Sequence, residues 1–299
     1  MNEREKPRSF AGAGVALVTP FAKDGSLDET ALRRLVKRQV AAGIDVLVPC
    51  GTTGESATLT PEEQLRVVEI TLAGSGGKPV LAGAGSNDTR AAVDRSKAMA
   101  ALGVSGVLSV GPYYNKPTPE GFFRHFSAVA EASPVPVVIY NVPGRTGSNI
   151  DAATQRRLAG HPNIAGVKEA SGSLAQMMEI LKDRPSGFEV LSGDDAFTLA
   201  MMAHGAEGVI SVAANQIPGP MRELVAAAAR GDFAGALRIH NRYLDLMNLN
   251  FVESNPIPVK ASLALLGLCE EGFRLPLCPP KKETREALRA MLGALGVSS

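Results

Sequence analysis

The chain has 299 residues, of which 45% are hydrophobic and 20% are charged, and its formal net charge is +1. These figures are typical of a globular protein with one large domain, or with one domain and an appendage. The near-neutral charge argues against nucleic acid or an anionic membrane as the main partner, because both favour a basic patch. No apolar run approaches the roughly 20 residues of a membrane span, and the charged N-terminus does not resemble a signal peptide, so we expect a cytoplasmic protein.

Cysteine and histidine usage argues against the common metal and disulfide frameworks. The three cysteines are an odd number without metal-ligand spacing, which favours a reducing compartment. The four histidines lie far apart and form no ligand motif. We therefore predict no metal site.

Short β-branched apolar runs alternate with amphipathic stretches from Gly14 onward, at intervals of roughly 20 to 35 residues, as expected for repeated βα units. Eight runs are predicted to be strands, at residues 14–19, 45–49, 79–82, 106–110, 136–140, 164–168, 188–191 and 208–211. Eight successive βα units most simply close into a (β/α)8 barrel, the TIM barrel, although a doubly wound open sheet has the same alternation. The first strand is not followed by a glycine-rich dinucleotide fingerprint, which favours the barrel.

Helix boundaries carry their own signals. Residues 26–29 (SLDE) and 60–63 (TPEE) have the capping-box pattern, so a helix should begin at each. Gly43 and Gly103 stand where a left-handed residue commonly ends a helix.

The pattern changes after Met221, where four helices are predicted to follow one another without a strand. They are expected at residues 222–230, 233–250, 258–268 and 282–295, and the first would be the eighth barrel helix. We therefore expect an N-terminal segment at residues 1–13, a barrel at 14–231 and a C-terminal helical domain at 232–299.

Lys168 ends the sixth predicted strand, at the end of an apolar run that begins at Ile164. Burial disfavours the charged form of an amine, so a lysine there is suited to attack a carbonyl and form a Schiff base. If Val-Lys-Glu is considered alone, a salt bridge between Lys168 and Glu169 or Asp194 at the end of the strand is the more ordinary explanation of this lysine. The other polar segments of the chain favour the Schiff base.

In a (β/α)8 barrel the active site lies at the C-terminal ends of the strands, and the unusual residues of this sequence cluster there. The second strand is followed by residues 50–56 (CGTTGES), whose glycines and consecutive N–H and hydroxyl groups suit carboxylate binding. A plain turn with Thr53 or Ser56 as helix cap explains the same residues.

Three of the four tyrosines follow the fourth and fifth strands, in residues 111–117 (GPYYNKP) and 140–146 (YNVPGRT). Tyrosine hydroxyls can relay protons, and Arg145 could bind a carboxylate through two hydrogen bonds. The alternative is that the tyrosines pack at the barrel rim and that Arg145 is a solvated loop charge.

The last two strands end in residues 191–195 and 209–212, whose small groups would complete a pocket. Asp194 and Asp195 are interpreted as helix N-caps instead of a metal pair. An amine, hydroxyl groups, an anion-binding loop and an arginine together suit a substrate that is both a ketone and an acid. Imine formation makes a 2-oxo acid an electron sink, loss of a C3 proton gives an enamine, and the enamine attacks an aldehyde.

Five segments follow in order on successive parts of the barrel. They are GTTGE at 51–55, PYYNKP at 112–117, YNVPGRT at 140–146, GVKEA at 166–170 and SGDD at 192–195. Together they resemble the pyruvate-dependent class I aldolase superfamily, which includes N-acetylneuraminate lyase, and within it most closely the dihydrodipicolinate synthase family. Five matches in order are far more specific than any one of them, and the resemblance covers essentially the whole chain.

The resemblance implies that Lys168 forms an imine with pyruvate, so that no separate cofactor is needed. It also implies that Thr52 and Thr53 hold the pyruvate carboxylate, and that Tyr140 is the proton donor and acceptor, linked through Thr52 to Tyr114. In the family this second tyrosine reaches across a tight dimer into the partner's site. We therefore expect a homo-oligomer, either a dimer or a dimer of dimers.

The resemblance further implies that Arg145 binds the carboxylate of L-aspartate 4-semialdehyde and that Gly193 and Ile210 contact substrate. The implied reaction condenses pyruvate with this semialdehyde to 4-hydroxy-tetrahydrodipicolinate, in diaminopimelate and lysine biosynthesis. An aldolase for another aldehyde, of the sialic-acid or sugar-acid type, would share the imine chemistry, but Arg145 argues against it. A non-catalytic barrel that binds a 2-oxo acid is the third interpretation.

Many bacterial members of the family have a lysine feedback site, with an acidic residue and histidines. Asn87 and Tyr113 fit that site, but Ala91 stands where the acid would be, and Pro61 and Gln64 stand where the histidines would be. We therefore expect L-lysine to inhibit weakly or not at all.

Overall fold

The computed structural model describes residues 9–298, which form a barrel of eight parallel strands surrounded by helices. The strands are β1 Gly12–Ala16, β2 Val46–Val48, β3 Leu81–Gly83, β4 Gly106–Val110, β5 Val137–Asn141, β6 Ile164–Glu169, β7 Glu189–Ser192 and β8 Gly208–Ser211. Hydrogen-bonded ladders join them in the order β2-β1-β8-β7-β6-β5-β4-β3. The predicted (β/α)8 class is confirmed, and each predicted strand end lies within three residues of the observed one.

The barrel closes between β2 and β3, where no ladder forms in the described chain. An isolated parallel bridge pairs Leu47 with Val80. Two backbone hydrogen bonds support it, from Leu47 N to the Pro79 carbonyl (3.0 Å) and from Gly83 N to the Pro49 carbonyl (2.9 Å). This short seam turns the sheet into a barrel.

The helices follow the strands in the expected alternation. They are α1 Glu29–Ala41, α2 Pro61–Gly74, α3 Thr89–Ala101, α4 Pro119–Ala132, α5 Pro143–Thr146, α6 Ala152–Ala159, α7 Leu174–Lys182, α8 Thr198–Ala203, α9 Pro218–Ala229, α10 Phe233–Leu249, α11 Ile257–Leu265 and α12 Lys282–Leu295. None of the helices in the described part of the chain is long and apolar enough to cross a bilayer.

One of the two capping-box predictions is confirmed and one is wrong. At α2, Thr60 Oγ1 accepts from Glu63 N (3.2 Å) and the Glu63 carboxylate accepts from Thr60 N (3.0 Å). At α1 the cap is Asp28, whose carboxylate accepts from Ala31 N (2.9 Å). The Ser26 hydroxyl is bonded instead to Asp24 in the preceding turn, so it is two residues too early to cap the helix.

The predicted start of the eighth barrel helix is also wrong, because α9 begins at Pro218 and not at residue 222. The sequence Pro-Gly-Pro suggests a break. Both prolines lie in the first turn of α9, however, where the backbone N–H groups have no partner within the helix and a fixed φ favours helical geometry. The predicted left-handed residues after α1 and α3 are confirmed, with φ +81° at Gly43 and +89° at Gly103.

Side chains alternate between the two faces of each strand, which creates two separate apolar regions. On β5, Val137 and Ile139 pack outward against the helices, whereas Val138 and Tyr140 point into the barrel. Phe10 fills the bottom of the barrel interior, where a side-chain atom on Gly106 would lie 2.5 Å from its ring. With the bottom filled, the barrel is open for chemistry only at the C-terminal ends of its strands.

The C-terminal helices reach this open end. Val259 and Leu263 of α11 pack with Val18, Leu35 and Val212 in a third apolar cluster above the strands. Residues 250–256, between α10 and α11, are thereby held over the rim of the barrel.

Candidate active site

Lys168 lies at the C-terminal end of β6, almost fully buried, with 5% of its surface exposed. The parallel register pairs it with Tyr140 of β5, and its Nζ lies 4.3 Å from the centroid of the Tyr140 ring. Both residues line an open cavity of about 510 Å³. Thr52, Thr53 and Arg145 line the same cavity, so these five predicted site residues, from three of the sequence segments, lie together.

The salt-bridge interpretation of Lys168 is wrong. Glu169 points to the other face of the strand, where its carboxylate accepts hydrogen bonds from Asn141 Nδ2 (3.1 Å), Gln155 Nε2 (2.7 Å) and Ser171 N (2.8 Å). Within residues 9–298, no carboxylate lies within ion-pair distance of Lys168. Its ammonium or amine therefore faces an aromatic ring and the cavity.

Asp194 also lines the cavity without pairing with the lysine. Its side chain caps a short 3-10 turn by accepting from Ala196 N (2.9 Å), as predicted, and burial raises the pKa of its carboxyl group. Asp195 does not act as a helix cap. Its carboxylate accepts from Val212 N (3.1 Å) and Ala213 N (2.8 Å) across the end of β8, and burial raises its pKa to about 6. In the described part of the chain, no group of three acidic, histidine or cysteine side chains could hold a metal ion.

The loop after β2 is tightly packed. The Thr19 hydroxyl donates to the Gly54 carbonyl (2.7 Å), and a side chain at Gly54 would meet the Leu17 carbonyl at 3.1 Å. Glu55 has a positive φ of +51°, which is unusual for a residue with a side chain. The cap of α2 is Thr60, so the alternative in which Thr53 or Ser56 caps that helix is wrong.

The segment that precedes α11 was not predicted to belong to the site. Asn255 Nδ2 donates to Thr53 Oγ1 (2.9 Å), and the Asn255 carbonyl accepts from Arg145 Nη2 (3.1 Å). A single residue of the C-terminal region thus contacts both Arg145 and the loop after β2 that carries Thr52 and Thr53, here called the threonine loop. No local pattern signals this contact, because 202 residues separate Asn255 from Thr53.

Lys260 of α11 forms a fully buried ion pair with Glu55, with side-chain exposures of 0% and 1%. Its Nζ lies 4.3 Å from the centroid of the Phe21 ring and 5.1 Å from that of Phe273. Burial lowers the pKa of Lys260, and the Glu55 carboxylate opposes that shift. A lysine in the apolar run Ile-Pro-Val-Lys-Ala is the same kind of signal that identifies Lys168, so this residue could have been found from the sequence.

Tyr114 is not among the residues that line this cavity. Its backbone is left-handed (φ +72°) and its N–H donates to the Thr146 carbonyl (3.2 Å), while its side chain is 90% exposed. Tyr113 is partly exposed and lines a second cavity beside the first.

The remaining predicted residues, Gly193 and Ile210, lie at different depths in the barrel. Gly193 lines the cavity, and a side chain there would lie 2.7 Å from Ala170 Cβ and 3.1 Å from Lys168 Cε, so glycine leaves room for the lysine. Ile210 is buried in the barrel interior, in the cluster that contains Tyr140 and Leu191, and is not among the residues that line the cavity.

A (β/α)8 barrel with a buried, unpaired lysine beside a tyrosine at its open end has the features of a pyruvate-dependent Schiff-base aldolase. Residues 9–295 match the Dihydrodipicolinate synthetase family, and the chain belongs to that family. The chain is 53% identical over 288 residues to the 4-hydroxy-tetrahydrodipicolinate synthase of Koribacter versatilis, with 96% of each chain covered.

Solved structures agree with this assignment. Dihydrodipicolinate synthase from Aquifex aeolicus has a TM-score of 0.94 and 44% identity, with 96% of this chain and 99% of that chain covered. The chloride-inhibited enzyme from Acinetobacter baumannii, complexed with pyruvate, has a TM-score of 0.95 and 42% identity, with 97% and 100% covered. The family resemblance predicted from the sequence is confirmed.

Proposed function

We propose that this chain condenses pyruvate with L-aspartate 4-semialdehyde to form 4-hydroxy-tetrahydrodipicolinate, in diaminopimelate and lysine biosynthesis, and that Lys168 is the residue that forms the imine. The observation that carries the proposal is the buried Lys168 amine, which faces the Tyr140 ring and an open cavity instead of a carboxylate. An amine that lies at an open cavity without an ion-pair partner is accessible to a carbonyl substrate, with which a lysine forms a Schiff base.

In the first half-reaction Lys168 Nζ attacks C2 of pyruvate, and loss of water gives a protonated imine. Thr52 and Thr53 hold the pyruvate carboxylate with their hydroxyl and amide groups, as the close packing of their loop favours. The imine withdraws electrons from C3, so Tyr140 can remove a proton there and give the enamine. Gly193 contacts pyruvate at the wall of the site, and Ile210 supports the floor of the site from the barrel interior.

In the second half-reaction the enamine carbon attacks the aldehyde carbon of the semialdehyde. Arg145 binds the carboxylate of this substrate, and its bond to the Asn255 carbonyl orients the guanidinium towards the cavity. The product is a ring that contains the amino nitrogen of the semialdehyde. That amine must therefore displace Lys168 from C2, which regenerates the free enzyme.

The active unit is proposed to be a homodimer, in which Tyr114 of one subunit completes the proton relay of the other through Thr52 and Tyr140. The support is that a large aromatic side chain, held on a left-handed backbone, is almost fully exposed in the single chain. Two dimers would form the tetramer. A cytoplasmic location fits the three free cysteines, two of which are buried.

Borohydride trapping with pyruvate tests the mechanism and the substrate together. The wild-type protein and Lys168→Met are incubated with pyruvate and borohydride and analysed by intact mass and peptide mapping, and aspartate semialdehyde is offered to untrapped enzyme. We expect a reduced pyruvyl adduct on Lys168 only, together with turnover of the semialdehyde. Absence of the adduct from wild-type protein would leave a non-catalytic 2-oxo-acid-binding barrel as the better interpretation.

An aldolase for another aldehyde is the second candidate, and it would give the adduct without turnover of the semialdehyde. Arg145→Ala separates the two cases further. We expect this variant to trap pyruvate normally while kcat/KM for the semialdehyde falls by about 10- to 100-fold, because a charge-assisted carboxylate contact is lost. Arg124→Ala, on the exposed face of α4, is the matched control and should leave both properties unchanged.

A further inference from the structure

A buried carboxylate that the proposed reaction does not use lies directly behind the Lys168–Tyr140 pair. Glu169 follows Lys168 on β6, is fully buried, and pairs in register with Asn141, the residue that follows Tyr140 on β5. Successive side chains of a strand point to opposite faces. The Lys168–Tyr140 pair therefore faces the cavity, and the Glu169–Asn141 pair is the next pair of the same ladder, on the outer face.

The Glu169 carboxylate accepts hydrogen bonds at both of its oxygens. Asn141 Nδ2 lies 3.1 Å from Oε1 and 3.1 Å from Oε2. Ser171 N donates to Oε1 (2.8 Å), and Gln155 Nε2 donates to Oε2 (2.7 Å). All of these partners are N–H donors, and an ionised carboxylate accepts at both oxygens without offering a hydrogen of its own.

No cation compensates this carboxylate in the part of the chain that the structure describes, because no lysine, arginine or histidine there lies within ion-pair distance of Glu169. Burying a charge without a partner of opposite sign is costly. A glutamine would have nearly the same size and no charge. It would, however, turn its own NH₂ group towards one or more of the three donors, so a carboxylate fits this set best.

The bonds of Glu169 and Asn141 reach three strand ends around the cavity. Asn141 Oδ1 accepts from Ile150 N (3.0 Å), which fixes the chain where it returns from α5, the helix that carries Arg145. The Glu169 carbonyl accepts from Gly193 N (2.8 Å), and Gly193 lines the cavity. Glu169 therefore connects the C-terminal ends of β5, β6 and β7.

We propose that Glu169 is a positioning residue for proton transfer at C3 of the imine. Its carboxylate holds Asn141 and thereby keeps Tyr140 of β5 in place beside Lys168 of β6. The proposal rests on the proposed function, which assigns the imine to Lys168 and the proton transfer to Tyr140. Imine formation needs the amine and pyruvate, whereas proton transfer also needs a hydroxyl from the neighbouring strand at a fixed position. Loss of Glu169 therefore impairs the second step more than the first.

Two assays on the full-length protein separate these steps without the semialdehyde. Borohydride trapping with pyruvate measures imine formation. Proton NMR in D₂O measures proton transfer, because a proton removed from C3 exchanges with solvent and a deuteron returns in its place. We expect Glu169→Gln to trap pyruvate almost as wild-type protein does, and to exchange the methyl protons about 10- to 100-fold more slowly, since small displacements of a reacting group have effects of this size.

Glu189→Gln is the matched control. Glu189 is also a strand carboxylate that accepts a backbone N–H, from Phe10 (2.8 Å), but it lies at the start of β7, at the opposite end of the barrel. We expect this variant to keep the wild-type ratio of exchange to trapping, whatever its effect on stability.

A double variant, Glu169→Gln with Asn141→Asp, moves the carboxylate to the neighbouring strand and reverses the direction of the bond between the two side chains. We expect it to recover most of the lost exchange rate. Recovery of this kind would not follow from a change in stability alone.

Asn141→Ala removes the same bond and keeps Glu169, so it provides the test if circular dichroism shows that Glu169→Gln is unfolded. It should show the same selective loss of exchange. Wild-type exchange rates in the folded variants, equal losses of trapping and exchange, or a folded double variant no better than Glu169→Gln would overturn the proposal. Failure of wild-type protein to trap pyruvate is a different result, which would overturn the proposed function and this inference with it.

Discussion

At the residue scale, the main feature is that Lys168 has an aromatic ring as its neighbour instead of a carboxylate. The backbone decides this outcome, because successive side chains of β6 point to opposite faces and Glu169 is bound on the outer one. Tyr140 occupies the neighbouring position in register and covers the amine. In the proposed mechanism this neighbour is also the group that exchanges protons with the adduct of Lys168.

Replacing Tyr140 by phenylalanine tests that second role. The ring and its packing are retained and only the hydroxyl is lost, so we expect the protein to fold and to bind pyruvate. Without the proton carrier, kcat should fall by about 10²- to 10⁴-fold. Steady-state kinetics with both substrates measures the effect.

Tyr243→Phe is the control for this substitution, since Tyr243 is a buried tyrosine of α10 outside the site. It should keep near wild-type activity. Retention of full activity by Tyr140→Phe would show that the proton carrier is another group.

Sequence reasoning finds residues whose local context is unusual. Lys168 is recognised because a lysine ends an apolar strand, and Thr52 and Thr53 because they lie between glycines after a strand. The same reasoning passed over Lys260, since a lysine within a helix has many ordinary explanations. Asn255 could not have been found in this way, because its importance depends on a contact with a residue far away in the chain.

At the element scale, the threonine loop is fixed from the C-terminal side and not only by the strand that precedes it. Asn255 bonds to Thr53, and Lys260 bonds to Glu55 two residues later. The loop and α11 therefore form one unit, although they come from opposite ends of the chain.

Lys260→Met tests this unit. It leaves the Glu55 carboxylate buried and unpaired, so we expect the free energy of unfolding to fall by about 3–5 kcal/mol. We also expect KM for pyruvate to rise, because the loop loses the ion pair that attaches it to α11. Denaturant unfolding and pyruvate kinetics below the unfolding transition measure the two effects.

The additional substitution Glu55→Gln should recover part of the lost stability, since it removes the unpaired charge. Lys282→Met is the control, because that lysine is 83% exposed and pairs only loosely with Glu286 (3.8 Å). It should change stability by no more than about 0.5 kcal/mol. A similarly small effect of Lys260→Met would mean that the pair does not hold the loop.

The helices and strands could be predicted because the signals for them are local: the spacing of apolar residues sets the type of element, and Gly and Pro often mark its ends. The ends of β4, β8 and α12 agree with the predicted ones, and the others differ by a few residues. The error at α9 arose because the helix-breaking and helix-starting effects of proline have the same sequence signature. The division of the chain at residues 13 and 231 stays a prediction.

At the scale of the whole molecule, the expected weak response to lysine depends on the charges near the second cavity. The helix that could have offered an acid has Ala91, α2 begins with Pro61, and the Gln64 amide is committed to loop carbonyls. An ammonium ligand would therefore meet no accessible carboxylate on the described walls of this cavity.

We accordingly expect millimolar L-lysine to cause little or no inhibition in a steady-state assay at saturating pyruvate. Ala91→Glu is the informative variant, since it adds a carboxylate on α3. It should strengthen any response to lysine. Potent inhibition of the wild-type enzyme would contradict the charge argument.

The seam between β2 and β3 also affects how the molecule avoids aggregation through exposed strand edges. Every other pair of neighbouring strands is joined by a ladder, so a transient opening of the barrel would occur first at this seam. The two strands that it would uncover have only three residues each. Edges this short offer few free backbone groups to a strand of another molecule, so the barrel can open there with little risk of recruiting a second chain into an aggregate.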